Sequence, residues 1–140
     1  MDSYSVLHSA LSVTPTGVTT TSYTVPVAAA TTVGGALVAP LAVSTHTQTL
    51  VTRVFVCNTD VSDTGEFDIT VSNYVASPAI PVVTTLYKAV SLSPKMTVEF
   101  GMNLTLKAGD ILNLTFAISD GVFDVTIFGI EMITGGGPHA

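Results

Sequence analysis

Asp60, Asp63, Glu66 and Asp68 form the one close cluster of carboxylates in this chain, and they are the first place to look for chemistry. Oxygen-rich loops can bind Ca²⁺, which takes six or more oxygen ligands, but the EF-hand spacing is absent here. The same residues read more simply as solvated turn carboxylates. The acid–base candidates are His8, His46 and His139. Acid–base catalysis needs a second group that holds the first within hydrogen-bond reach. None of the three has a carboxylate beside it in sequence, so they read as surface or interface histidines. Cys57 is the only cysteine, which excludes an intrachain disulfide and any Cys-based zinc cluster. Its place at the end of an apolar strand predicts a buried, inert thiol. Asp110, after Gly109, reads as a turn residue bonding the backbone. The sequence therefore points to no catalytic residue, no metal site and no cofactor, and away from an enzyme.

The aromatics point the same way. There is no Trp, and Tyr4, Tyr23, Tyr74 and Tyr87 are dispersed, which argues against a sugar-binding platform. Phe67, Phe100, Phe116 and Phe123 fall at inward strand positions and read as core. Phe128 differs: with Ile130 and Met132 it lies on the opposite face of the last strand from Val125 and Ile127. That outer stripe needs a cover, either a second sheet or another subunit.

The elements that carry these residues are strands. Val and Thr dominate a chain of 140 residues, as suits a pleated, half-buried surface. The length fits one domain. Charged residues are only 10% against roughly 25% in an ordinary soluble domain, while hydrophobic ones reach 47%. Permanent burial of some surface in an assembly is the simplest account of so little charge. The net charge is −6, and the four cations, Arg53, Lys88, Lys95 and Lys107, are scattered. Phosphate binding needs clustered cations, so no nucleic-acid partner is expected. No apolar run approaches the roughly 20 residues of a membrane span, so no membrane partner is expected either. Met1-Asp2-Ser3-Tyr4-Ser5 lacks a basic and an apolar signal region, so no signal peptide is expected.

Along the chain, residues 1–24 are Ser/Thr-rich and read as an extended N-terminal arm ending in an edge strand. Residues 26–48 carry no Asp, Glu, Lys or Arg and hold no lasting periodicity. Such a long loop is functional or disordered, and its apolar, uncharged character favours an ordered contact with another chain. Strands follow at Leu50–Cys57, Glu66–Ser72, Val82–Val90 and Thr97–Phe100, with turns between them. Ile111–Ser119 and Val122–Met132 flank Asp120-Gly121, which suits a type I′ turn. Closing it as a hairpin would pair Phe116 with Val125 and Leu114 with Ile127, both on one apolar face. The expected fold is an all-β, antiparallel β-sandwich, jelly-roll-like, in a single domain with an extended N-terminal arm. Residues 1–48 would make inter-subunit contacts, 49–134 the sandwich, and 135–140 a flexible tail. The interface residues expected are Val27, Val33, Leu37, Val38, Leu41 and Val43 in the uncharged segment, and Phe128, Ile130 and Met132 on the outer stripe.

One order of short motifs carries a resemblance. Thr85-Leu-Tyr-Lys-Ala-Val90 is followed by Leu92-Ser-Pro94, Thr97-Val-Glu-Phe100, Leu104–Leu106, Ala108-Gly-Asp110-Ile-Leu112 and the last pair of strands. Upstream stand Tyr23-Thr-Val-Pro26 and Val54–Thr59. This order resembles the β-sandwich virion accessory proteins of tailed bacteriophages, the capsid decoration or cement proteins. About residues 27–48 stand where that pattern has a short glycine turn. The resemblance implies a structural protein, a homotrimer on the outer face of a phage head, with the major capsid protein as partner. It would be made in the host cytoplasm, end up in the virion, and stabilise contacts between neighbouring capsid subunits. A head-fibre or tail component is the nearest alternative, and a carbohydrate-binding sandwich module a more distant one.

Overall fold

The computed structural model describes residues 3–15, 19–26, 31–33, 36–38, 46–73, 82–116 and 121–134. Its elements are strands: β1 (Ser3–Val13), β2 (Thr19–Thr24), β3 (Thr31–Val33), β4 (Ala36–Val38), β5 (His46–Asn58), β6 (Gly65–Asn73), β7 (Val82–Leu92), β8 (Thr97–Lys107), β9 (Ile111–Phe116) and β10 (Phe123–Thr134). Eight of them form two antiparallel sheets of four, in the orders β1-β10-β5-β8 and β2-β9-β6-β7. β3 and β4 pair with each other in a separate two-stranded ribbon. The all-β, antiparallel sandwich expected from the sequence is the architecture observed.

Period-two alternation decides which side of each strand is buried. In β6 it turns Phe67, Ile69 and Val71 inward, and in β9 Leu112, Leu114 and Phe116. The opposing sheet contributes Val54 and Val56 from β5, Phe100 and Leu106 from β8, and Phe123, Val125 and Ile127 from β10. Burying each such side chain fully is worth about 1.5–3 kcal/mol. Four phenylalanines lock the sheets together. Phe67 lies 6.0 Å from Phe100, 5.7 Å from Phe116 and 6.3 Å from Phe123, centroid to centroid. Phe116 and Phe123 stack across the core at 4.6 Å.

That last pair corrects the hairpin. β9 pairs with β2 and β6, and β10 pairs with β1 and β5, so the two strands share no ladder. Their apolar faces match because both look into one core from opposite sheets. Facing across a sandwich and facing along a hairpin demand the same alternation. Ile118 and Asp120 lie outside the described residues. Space favours glycine at position 121: a Cβ would come within 2.8 Å of the Phe123 ring. The chain in fact changes sheet at almost every connection, and only β6 and β7 are consecutive neighbours within a four-stranded sheet.

The segment read as an arm contributes an edge strand to each sheet. β1 runs along β10 and β2 along β9. β2 and the residues after it place Tyr23 and Val25 in the core. Most of the uncharged segment and all of 135–140 lie outside the described residues. β8 runs on through Gly101, where the sequence had suggested a stop at Phe100.

Gly129 marks the place where the β10–β5 register slips, and Thr52 Oγ1 donates to the Phe128 carbonyl beside it at 3.3 Å. A Cβ at Gly129 would run into the Leu50 carbonyl, which is backbone and cannot swing aside. Gly129→Ala should therefore destabilise the fold by about 1–3 kcal/mol in urea unfolding. Gly101→Ala, where a Cβ meets nothing within 4 Å, should stay within about 0.5 kcal/mol of wild type. Equal stability of the two variants would contradict the close approach at the slip.

Candidate interface surfaces

Several of the carboxylates that could have done chemistry instead shape turns and edges. Asp60 Oδ1 accepts the N–H groups of Ser62 at 2.8 Å and Asp63 at 2.9 Å, and these two bonds hold its carboxyl below the usual carboxylate range. Asp68 accepts the Ala89 N–H at 2.7 Å and the Lys88 ammonium at 3.0 Å. The Ala89 bond first, and then Lys88, lower its pKa. Ala89 has a φ of 53°, so this carboxylate pins a strained, irregular stretch of β7 onto β6. Asp124 Oδ1 does the same for β1, accepting the N–H of Ser12, whose φ is 54°, at 2.8 Å. Asp110 is buried and accepts the Lys107 N–H at 3.0 Å and the Asn73 amide at 3.3 Å, which makes it a turn residue bonding the backbone. Glu66 is exposed opposite Ser91. Among the described residues no three His, Cys, Asp or Glu side chains gather where they could hold a metal ion.

His8 Nε2 lies 2.6 Å from Thr21 Oγ1, joining β1 to β2 across the edge of the sandwich. His46 stands opposite Thr134 at the end of the β5–β10 ladder, and His139 lies outside the described residues. Cys57 departs from expectation. Val54 and Val56 face the core, so alternation puts Cys57 on the outer face, half-buried between Asp124 and Thr97 of the adjacent strands.

The structure distributes the nine expected interface residues as follows. Val27, Leu41 and Val43 lie outside the described residues. Val33 is in β3, and Leu37 and Val38 are in β4, across the ribbon from Thr32 and Thr31. Phe128, Ile130 and Met132 come together on the side of their sheet away from the second sheet, all half-buried. Val6 of β1 pairs with Phe128, Leu50 of β5 pairs with Ile130, and Phe55 meets Phe128 edge-on at 5.6 Å. A broad apolar face therefore spans three strands of the outer surface. It is not the face that the second sheet covers.

A second surface had no counterpart in the sequence reading. β7 and β8 are the edges of the two sheets on the side away from β1 and β2, and past the Tyr87–Phe100 ring pair at 4.4 Å they leave a slot of about 320 Å³. Its walls are Leu86, Tyr87, Met102, Asn103 and Leu104, none of them charged. Further along β7, Val82 and Val83 are each 58% exposed.

Two polar anchors were also missed. Asn58 is buried, with its amide donating to the carbonyls of Asp63 at 2.7 Å and Leu92 at 3.0 Å, so it ties two turns together. The Tyr23 hydroxyl donates to Glu131 Oε1 at 2.6 Å and lies 2.9 Å from Thr49 Oγ1, bridging the two sheets. The alternation at Thr19–Thr24 was the available signal for Tyr23, since it sets Tyr23 on the inward side. Only the fold reveals its partner 108 residues away.

Burial first, and then the bond to Glu131, push the Tyr23 hydroxyl well above its ordinary pKa of about 10. Below that value both folded and unfolded chains hold the proton, and the bond contributes fully. Above it the unfolded chain releases the proton first, so this contribution falls as pH rises. Tyr23→Phe should lose about 1–2 kcal/mol at neutral pH and should show a shallower stability loss than wild type above about pH 10. Parallel pH profiles in urea titrations would count against the bridge.

Compared with known proteins, the chain matches no family model, and no curated protein matches it either.

Proposed function

We propose that the protein is a structural virion component, a capsid decoration protein that assembles as a homotrimer on the outer face of a phage head and fastens neighbouring copies of the major capsid protein. The observation that carries this reading is the pairing of a charge-poor sandwich with two apolar surfaces that face away from its core, the stripe at Phe128, Ile130 and Met132 and the slot at Leu86 and Leu104. Contiguous apolar surface on a folded domain marks a place where another macromolecule sits. The motif order described above supplies the choice of a phage head. Adhesion is the mechanism. Buried apolar area contributes about 25 cal/mol per Å² before ordering costs, and several copies acting together multiply weak contacts. An excess of acidic over basic residues suits the outer side of a shell better than its DNA-facing side.

Sedimentation with expanded empty heads tests the reading. The protein should pellet with the heads and raise their disruption temperature, as a ligand of the assembled state does. Light scattering on the free protein should give about three times the 14.4 kDa chain mass. Binding to purified tails in place of heads would move the protein to the tail. Binding to a glycan array with neither would replace the reading with a carbohydrate module.

A further inference from the structure

The two lateral sides of the sandwich are built differently. On the β1–β2 side, His8 meets Thr21, and Tyr23 meets Glu131 and Thr49, so the sheets are laced together. On the β7–β8 side the slot stays open. β7 is also the edge with the least protection. β2 has only six residues, β8 carries Glu99 and Lys107, and β1, like the Ala89 end of β7, is interrupted by register shifts. Every residue of β7 from Val82 to Ala89 is exposed, and its single charge, Lys88, is tied to Asp68. From Val82 to Thr85 it pairs with β6 in unbroken register, leaving a regular, uncharged, β-branched edge of the kind that recruits another strand.

The same chain carries an element that needs such a surface. β3 and β4 are three residues each and pair with neither four-stranded sheet. A two-stranded ribbon that short is not stable alone in water. From Val25 to Thr52 there is no Asp, Glu, Lys or Arg. An uncharged segment can enter an uncharged slot without burying an unpaired charge, and a charged one cannot. The last described residues before the ribbon also lie towards the Val82 end of β7. Val25 exchanges hydrogen bonds with Asp110 and Gly109, Asp110 is bonded to Asn73, and Asn73 stands opposite Val82. In the isolated chain the slot is nevertheless open, and β3 and β4 pair only with each other among the described residues.

We infer that the β7–β8 slot, with the free edge of β7, is a subunit interface that receives the β3–β4 ribbon of a second copy of this chain. The contact is heterologous, with a different surface offered by each partner, so repetition closes a ring. It deepens the assembly reading above and rests on it.

Val83→Lys and Leu86→Glu, at exposed positions of β7, and Leu37→Asp in β4 test it. Each should leave the circular dichroism of the sandwich unchanged and shift the oligomer–monomer midpoint by at least about tenfold in protein concentration. To identify the occupant, Leu37→Cys and Asn103→Cys are placed on separately tagged chains in a Cys57→Ser background. A disulfide-linked pair carrying both tags, formed only from the mixture, is the expected result. If the link forms only within a chain that carries both substitutions, the ribbon fills its own slot and the inference is overturned. An oligomer that all three charge variants leave intact also overturns it, while assembly through another surface stands. A wild-type chain that is monomeric at micromolar concentration removes the assembly reading itself.

Discussion

The packing of Phe67, Phe100, Phe116 and Phe123 across the sandwich is the contact on which the rest of the structure depends. Each comes from a different strand, two from each sheet. Because the chain changes sheet at nearly every connection, few of the sandwich strands gain a paired neighbour from the turn that leads to them. Strand pairing is instead decided at long range, once inward faces have found one another. Edge-to-face and stacked rings supply a directional term beyond area burial, about 0.5–1.5 kcal/mol per pair, and so help fix how the sheets sit on each other. Gly65 and Gly121 make room for this cluster, since a Cβ at either position would meet the Phe123 ring.

Polar residues then finish what the core leaves undone. Asn58 joins the turn after β5 to the end of β7. Asp110 holds the β8–β9 turn against Asn73, and its carbonyl receives the N–H of Val25. Asp68 and Asp124 each satisfy an N–H at a residue of positive φ on an edge strand. Buried or strained backbone donors without partners would be costly, and these side chains remove that cost at the irregular places. Asp60 and Asp68, two of the four acidic residues that first suggested chemistry, are therefore part of the framework.

Much of this was legible in the sequence, and the failures have a common origin. Phe67, Ile69 and Val71 announce a strand and its buried face through alternation alone, and so do Leu112, Leu114 and Phe116. Alternation does not say which strand lies alongside. Leu114 and Ile127 match equally well as hairpin partners and as residues looking into a shared core, and only the ladders separate the two cases. Cys57 failed for a related reason, because the unbroken apolar run Val54-Phe55-Val56 before it hides which parity is inward. The outer stripe at Phe128, Ile130 and Met132 was visible, since those residues break the parity of a strand already assigned. The slot was not. It comes from two edges, Leu86–Tyr87 and Met102–Leu104, brought side by side by the stacking of the sheets.

The scarcity of charge links these surfaces to a role. A monomeric sandwich ordinarily puts Lys, Glu or Pro on its edges and outer faces, because unprotected strands associate. Here Lys88 is held by Asp68, and Arg53, opposite Phe128, pairs with Glu99 at 3.5 Å. With both charges of that pair largely exposed, the bridge adds little stability. Its effect is to leave the surface around Phe55 and Phe128 nearly neutral. Neutrality on an outer face and at an edge is a liability for a solitary protein and a requirement for one whose surfaces are buried against neighbours. On the reading proposed above, selection for assembly would account for both features with a single constraint.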